Sequence, residues 1–93
     1  MSYARIAEQL RLGDRIILDG GTGTDLQRRG APMSGDTWCA DANLTHPDVV
    51  RAVHHGYIDA GADIITANTF ATSPLLFRHL GRIDDMVGID TVA

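Results

Sequence analysis

Cysteine is nearly absent from this chain: Cys39 stands alone among 93 residues. One thiol excludes an internal disulfide framework and a multi-cysteine zinc site, and it suits a reducing compartment. Long apolar runs are missing too, and nothing approaches the ~20 residues that span a bilayer. The opening Met1-Ser2-Tyr3-Ala4-Arg5 lacks the basic start and continuous apolar core of a signal peptide. A cytoplasmic chain without a membrane partner is expected. Positive charge is sparse, with eight Lys and Arg against twelve Asp and Glu, a formal net charge of -4. The basic residues are scattered rather than clustered, which argues against a nucleic-acid partner.

What is present is ordinary for an α/β protein: 44% hydrophobic residues, 22% charged residues and ten glycines. A chain of this length buries only roughly 60–65% of the surface its unfolded form exposes, so any fold it adopts alone is marginal. No internal repeat, linker or low-complexity segment divides it, and residues 1–93 read as a single partial domain.

Ser2 can cap a short helix carrying Tyr3, Ile6, Ala7 and Leu10 at helical spacing, with Gly13 as its stop. Arg15-Ile16-Ile17-Leu18 then reads as a buried parallel strand ending at Asp19-Gly20-Gly21. Thr22 or Thr24 opens a second helix through Leu26 to Arg29, and Gly30-Ala31-Pro32 breaks it before a loop from Met33 to Asn43. Thr45-His46-Pro47-Asp48 combines a hydroxyl cap, a first-turn proline and an acid, and opens a helix that Gly61 ends. Ala62 to Ala67 is the second strand candidate, followed by the polar loop Asn68 to Pro74. Short helices are predicted over Pro74 to Leu80 and Asp84 to Ala93. Strand, helix, strand implies two parallel strands joined by a right-handed crossover. Two strands make no stable sheet, and their open edges invite association.

Asp19-Gly20-Gly21-Thr22-Gly23-Thr24-Asp25 is the most informative stretch, because a carboxylate and three glycines stand where α/β folds place ligands, at the end of a strand. A dinucleotide loop fits poorly: Leu26 occupies the place of the third glycine, no Gly-Lys-Ser/Thr is present, and two aspartates would repel phosphate. A tight turn with helix-capping polar residues remains an alternative reading. An acidic group beside exposed backbone N–H donors suits an amino-acid ligand, whose ammonium and carboxylate ask for those partners. Thr66, Asn68 and Thr69 follow the second strand and, in a parallel arrangement, face the same end as Asp19; alternatively they satisfy loop backbone groups. His46, His54, His55 and His79 form no metal-ligand spacing, and Cys39 reads as a small packed residue. Trp38 is either a pocket wall or loop-anchoring core.

Three stretches in register, Leu18 through Gln27, Trp38 through His46-Pro47, and Ala60 through Phe70, resemble the homocysteine S-methyltransferase family over residues 15 to about 90. The resemblance implies the N-terminal portion of a (β/α)8 TIM barrel, with about two strands, flanking helices and the barrel incomplete. It also implies transfer of a methyl group from an activated donor to the homocysteine thiol, giving methionine, with zinc as the family's catalytic metal. Asp19 and Gly20 are then implied to hold the amino-acid group of homocysteine, with Trp38, Thr66, Asn68 and Thr69 lining or supporting the pocket. The family's zinc cysteines belong to later strands, so neither a metal ligand nor a catalytic residue is assigned to this chain, and the chain alone is expected to be inactive. Ala71 is small where some members carry Gln or Tyr, which leaves the donor open.

Two other readings compete. One is a non-enzymatic binding or assembly module that pairs its open strand edges with itself or with a complementary barrel fragment. The other is an unrelated α/β fragment using the glycine-rich turn for phosphate.

Overall fold

A computed structural model describes residues 2–33, 35 and 37–92. Six helices follow in chain order: α1 Tyr3–Arg11, α2 Thr22–Arg28, α3 Ala42–Thr45, α4 Pro47–Asp59, α5 Pro74–His79 and α6 Ile83–Val92. Local signals place most of their ends. The Ser2 side chain accepts the Arg5 N–H at 3.2 Å to start α1, and Gly13 leaves it at φ 76°. Ser73 accepts the Leu76 N–H and Pro74 takes the first turn of α5. Gly61, at φ 110°, follows the end of α4.

Two caps differ from expectation. α2 starts from Gly21 with no side-chain cap. α4 starts from His46 because Thr45 is already the last residue of the unforeseen one-turn α3, where its hydroxyl donates to Asp41 O at 3.1 Å. The expected Met33 to Asn43 loop therefore ends at Asp41; its Ser34 and Asp36, like Ala93 at the end of the last predicted helix, lie outside the described residues.

The fold class needs correction. Among the described residues the protein is helical and carries no sheet, so the expected pair of barrel strands is not formed. What stands in its place is an isolated parallel bridge between Leu18 and Ile64. Asp19 N–H donates to Ile64 O at 3.1 Å, and the N–H groups of Asp63 and Ile64 both donate to Ile17 O, at 2.7 and 3.2 Å. The flanking donors go elsewhere. Ile17 N–H donates to the Asp63 carboxylate at 3.0 Å, and Thr66 N–H donates to the Asp19 carboxylate at 2.7 Å. Aspartate side chains that satisfy backbone donors locally offer the chain an alternative to a ladder. The expected burial of this pair fails as well: Ile17 is 52%, Leu18 63% and Ile65 36% exposed.

The core is small and split. Leu26, Ala31, Cys39, Ala42, Val50 and Val53 form a cluster in which α2 and α3 each pack against α4, with Met33, Val49 and Tyr57 at the margin. A second cluster joins Ala40 to Phe77 of α5 and Ile89 of α6. α1 buries none of its residues. The radius of gyration is 15.1 Å, with extents of 48 × 26 × 17 Å, against about 12 Å for a compact domain of this length. No helix among the described residues is long and apolar enough to cross a membrane.

Candidate functional site

The bridge brings the glycine-rich turn and the segment after Ile64 side by side, and a cleft of about 280 Å³ opens between them. Gly20, Gly21, Thr22 and Gly23 form one wall; Thr66, Ala67 and Asn68 form the other, with Trp38, Cys39 and Phe70 completing it. Four of the six residues expected to share a pocket, Gly20, Trp38, Thr66 and Asn68, line this cleft.

Asp19 is not among the lining residues; it stands half-buried beside the cleft, directly before Gly20, and bonds to the opposite wall at Thr66. Its Oδ2 accepts the Thr66 N–H at 2.7 Å and its Oδ1 accepts the Thr66 hydroxyl at 3.0 Å. Each oxygen keeps a free lone pair, so the carboxylate can still take a cationic group. Thr69 is not among the lining residues. Its N–H donates to Ala67 O at 2.8 Å and its carbonyl accepts the Thr72 hydroxyl at 2.7 Å, so it shapes the turn behind the cleft.

Asn68 is 3% exposed and its amide is fully engaged. Its Nδ2 donates to Cys39 O at 3.0 Å and to Asn43 Oδ1 at 2.8 Å, while its Oδ1 accepts the Cys39 thiol at 3.3 Å. Asn43, fully buried, donates from Nδ2 to Asn68 O and Ile89 O, both at 3.0 Å. This network ties the cleft floor to α3 and α6. Buried amides satisfied in this way rigidify a site, and each would be costly unpaired. Sequence reasoning missed Asn43, which ended the expected loop and whose partners, Asn68 and Ile89, are distant in the chain.

Trp38 adopts φ 51°, a left-handed conformation that costs a non-glycine residue on the order of 1–3 kcal/mol. It occupies the turn closed by Ala40 N–H to Thr37 O at 3.0 Å. The ring lies over Gly23, where a methyl group would stand 2.8 Å from the indole and 3.2 Å from Cys39 Sγ. Gly23 is therefore needed for close approach rather than for conformational freedom. Phe70, 87% exposed, meets Trp38 edge to face with ring centroids 6.1 Å apart. Gly21, Thr22, Gly23, Cys39, Ala67 and Phe70 also line the cleft without having been assigned to a pocket; all lie within the three stretches that carried the resemblance, Cys39 in the one from Trp38 to Pro47.

Two other carboxylates near the cleft are paired with arginines. Asp25 accepts from Arg28 and Arg29, at 2.7 and 2.9 Å, and the Arg29 bond leads in holding its carboxyl below the usual range, against some desolvation. Arg82 forks onto Asp41 at 2.7 and 3.0 Å and also donates to Asp85 at 2.8 Å. That guanidinium is the main reason the Asp41 carboxyl is held low; burial opposes it and the Thr37 hydroxyl, at 2.6 Å, adds to it.

The residues present do not fit a zinc ion. No three of His, Cys, Asp and Glu stand together among the described residues. Burial pushes the Cys39 thiol up, away from the thiolate a metal requires, and its S–H donates to Asn68 Oδ1 at 3.3 Å.

Comparison with known proteins identifies the family of the sequence. Residues 16–89 match the family model described as homocysteine S-methyltransferase. Homocysteine S-methyltransferase 3 of Zea mays is 44% identical over 69 residues, covering 74% of this chain and 20% of the relative. Selenocysteine Se-methyltransferase of Brassica oleracea var. italica is 41% identical over 69 residues, again 74% of this chain and 20% of the relative. Selenocysteine methyltransferase of Astragalus bisulcatus is 36% identical over 73 residues, 78% of this chain and 22% of the relative. The chain thus spans about a fifth of the length of these curated relatives. No solved structure matches it.

Proposed function

The chain belongs to the homocysteine S-methyltransferase family, and on that footing we propose that residues 1–93 are a partial domain holding the amino-acid end of homocysteine while its thiol is methylated. The observation that carries this reading is the Asp19 carboxylate at the edge of a glycine-lined cleft, bonded to the N–H and hydroxyl of the lining residue Thr66. The ligand's ammonium takes the remaining lone pairs of Asp19, and its carboxylate meets the exposed backbone of the Gly20-Gly21 turn. Trp38 and Phe70 shield the aliphatic arm that carries the thiol.

In the reaction, the homocysteine sulfur forms a bond to the donor's methyl carbon as the bond from that carbon to the donor breaks. The electron pair of the broken bond leaves with the donor, the thiol proton passes to solvent, and methionine results. Zinc, when bound to a family member, lowers the thiol pKa. The described residues offer no site that would hold it, and the 93-residue chain alone is read as inactive. A cytoplasmic setting accords with the free thiol of Cys39.

The test is titration of L-homocysteine into the chain, followed by calorimetry and by emission of Trp38, the single tryptophan. A saturable signal that Asp19→Ala removes supports the reading; a flat titration in both readouts overturns it.

The exposure of Ile17, Leu18 and Ile65 favours a second reading, an assembly module that covers these residues with another copy or a complementary fragment. Sedimentation separates the two, since a defined dimer that ignores homocysteine would leave only the second.

A further inference from the structure

Arg82 lies far from the cleft in sequence and lines none of it, yet it reaches the turn that carries Trp38. Both terminal nitrogens of its guanidinium hold the Asp41 carboxylate, at 2.7 and 3.0 Å, and Asp41 Oδ2 also accepts the hydroxyl of the fully buried Thr37 at 2.6 Å. Thr37 opens the turn in which Trp38 is left-handed, and Asp41 follows the Ala40 that closes it. The guanidinium is itself fixed: Asp85 accepts from its Nε at 2.8 Å, and the group stands 5.6 Å from the centroid of the buried Phe77 ring. A turn that places a bulky residue in a disfavoured backbone conformation persists only when its surroundings over-determine it. Asn68 also restrains the turn, donating to Cys39 O and accepting the Cys39 thiol. Removing Arg82 takes away the charged fork that fixes Asp41 against Thr37.

We propose that Arg82 is a positioning residue, acting through Asp41 and Thr37 to hold the Thr37–Ala40 turn so that the Trp38 ring stays against Gly23 as a wall of the cleft. Its link to ligand affinity rests on the reading of the cleft as an amino-acid site; its link to Trp38 does not. Fixed side chains at the Asp41 fork couple α6 to the cleft, because Asp85 of α6 holds the same guanidinium.

The single tryptophan makes this directly measurable. The full chain is prepared as wild type, Arg82→Met, Arg82→Lys and Asp41→Asn, and far-UV circular dichroism records whether each is folded. In the ligand-free state, acrylamide quenching of Trp38 is expected to rise about twofold in Arg82→Met and Asp41→Asn, since loss of a bidentate charged pair releases the turn. Arg82→Lys, which keeps the charge without the fork, is expected to fall between them and wild type. Homocysteine affinity is expected to drop roughly tenfold in Arg82→Met, in the same order across the variants.

A residue that only stabilises the fold would lower the melting temperature and leave Trp38 quenching unchanged well below the melt; that result in the folded variants overturns the proposal. If Arg82→Met does not fold, Arg82→Lys decides on the same quenching readout. If wild type shows no homocysteine binding, the reading of the cleft fails, and the ligand-free quenching still decides whether Arg82 positions Trp38.

Discussion

One carboxylate joins the two walls of the cleft: Asp19 accepts both the backbone N–H and the side-chain hydroxyl of Thr66, at 2.7 and 3.0 Å. The same contact limits the neighbouring ladder, because the Thr66 N–H that a strand partner would use is already engaged. Asp19 therefore serves the site and shapes the backbone around it. Substitutions here separate those two roles.

Asp19→Ala is expected to weaken homocysteine binding about tenfold or more, as the charged partner of the ammonium is lost. Thr66→Val removes one donor to Asp19 but leaves the charge, and should cost about 1 kcal/mol of stability with a smaller loss of affinity. Cys39→Ser keeps a donor to Asn68 and should change affinity least. Calorimetry on the three variants checks the order, and equal losses from Asp19→Ala and Cys39→Ser would sink the assignment of Asp19.

Gly23→Ala tests the close approach beneath Trp38. The added methyl, 2.8 Å from the ring, requires the indole or the turn to move, at an overpacking cost of about 1–3 kcal/mol. Denaturant titration followed by Trp38 emission should show a lower midpoint and an altered native spectrum. An unchanged spectrum would mean that the ring does not rest on Gly23.

Asn68→Ala strips partners from Asn43 Oδ1, Cys39 O and the Cys39 thiol at once. Leaving buried polar groups unpaired costs about 1–3 kcal/mol for each strong one, so this change is expected to exceed Thr66→Val severalfold. In a chain of marginal stability, Asn68→Ala should lose its cooperative thermal transition. A melting curve close to wild type would show that the network contributes little.

Acid should destabilise the fold through Asp41 and Asp25, whose carboxyls are both held below their usual values, Asp41 chiefly by Arg82 and Asp25 chiefly by Arg29. A depressed folded-state pKa means that the folded chain binds fewer protons than the unfolded one. The stabilisation is therefore complete above the unfolded value of about 3.9 and is lost as pH falls through the folded values. Urea midpoints measured from neutral pH down through this range should decline, and Asp41→Asn should show a shallower decline from a lower starting point. Parallel declines would remove Asp41 from this account.

The sequence by itself determined what depends on near neighbours. Ser2, Gly13, Gly61 and Ser73-Pro74 set helix ends because capping and left-handed exits are decided within a few residues. The family was legible in the same way, since the glycine-rich turn, the Trp38 stretch and the Ala60–Phe70 stretch are contiguous motifs, matched over residues 16–89. Only the tertiary structure decided the rest. Ile16-Ile17-Leu18 and Ile64-Ile65 carry a strand pattern, but Asp63 and Asp19 claim the flanking N–H groups and Ile17, Leu18 and Ile65 stay exposed, so an isolated bridge forms there instead of a sheet. The left-handed Trp38, the Asn43–Asn68 network and the Arg82 fork on Asp41 likewise join residues distant in the chain. Hydrogen-bond partners chosen across the fold compete with local propensity, and where a buried donor or a charged pair is at stake they prevail.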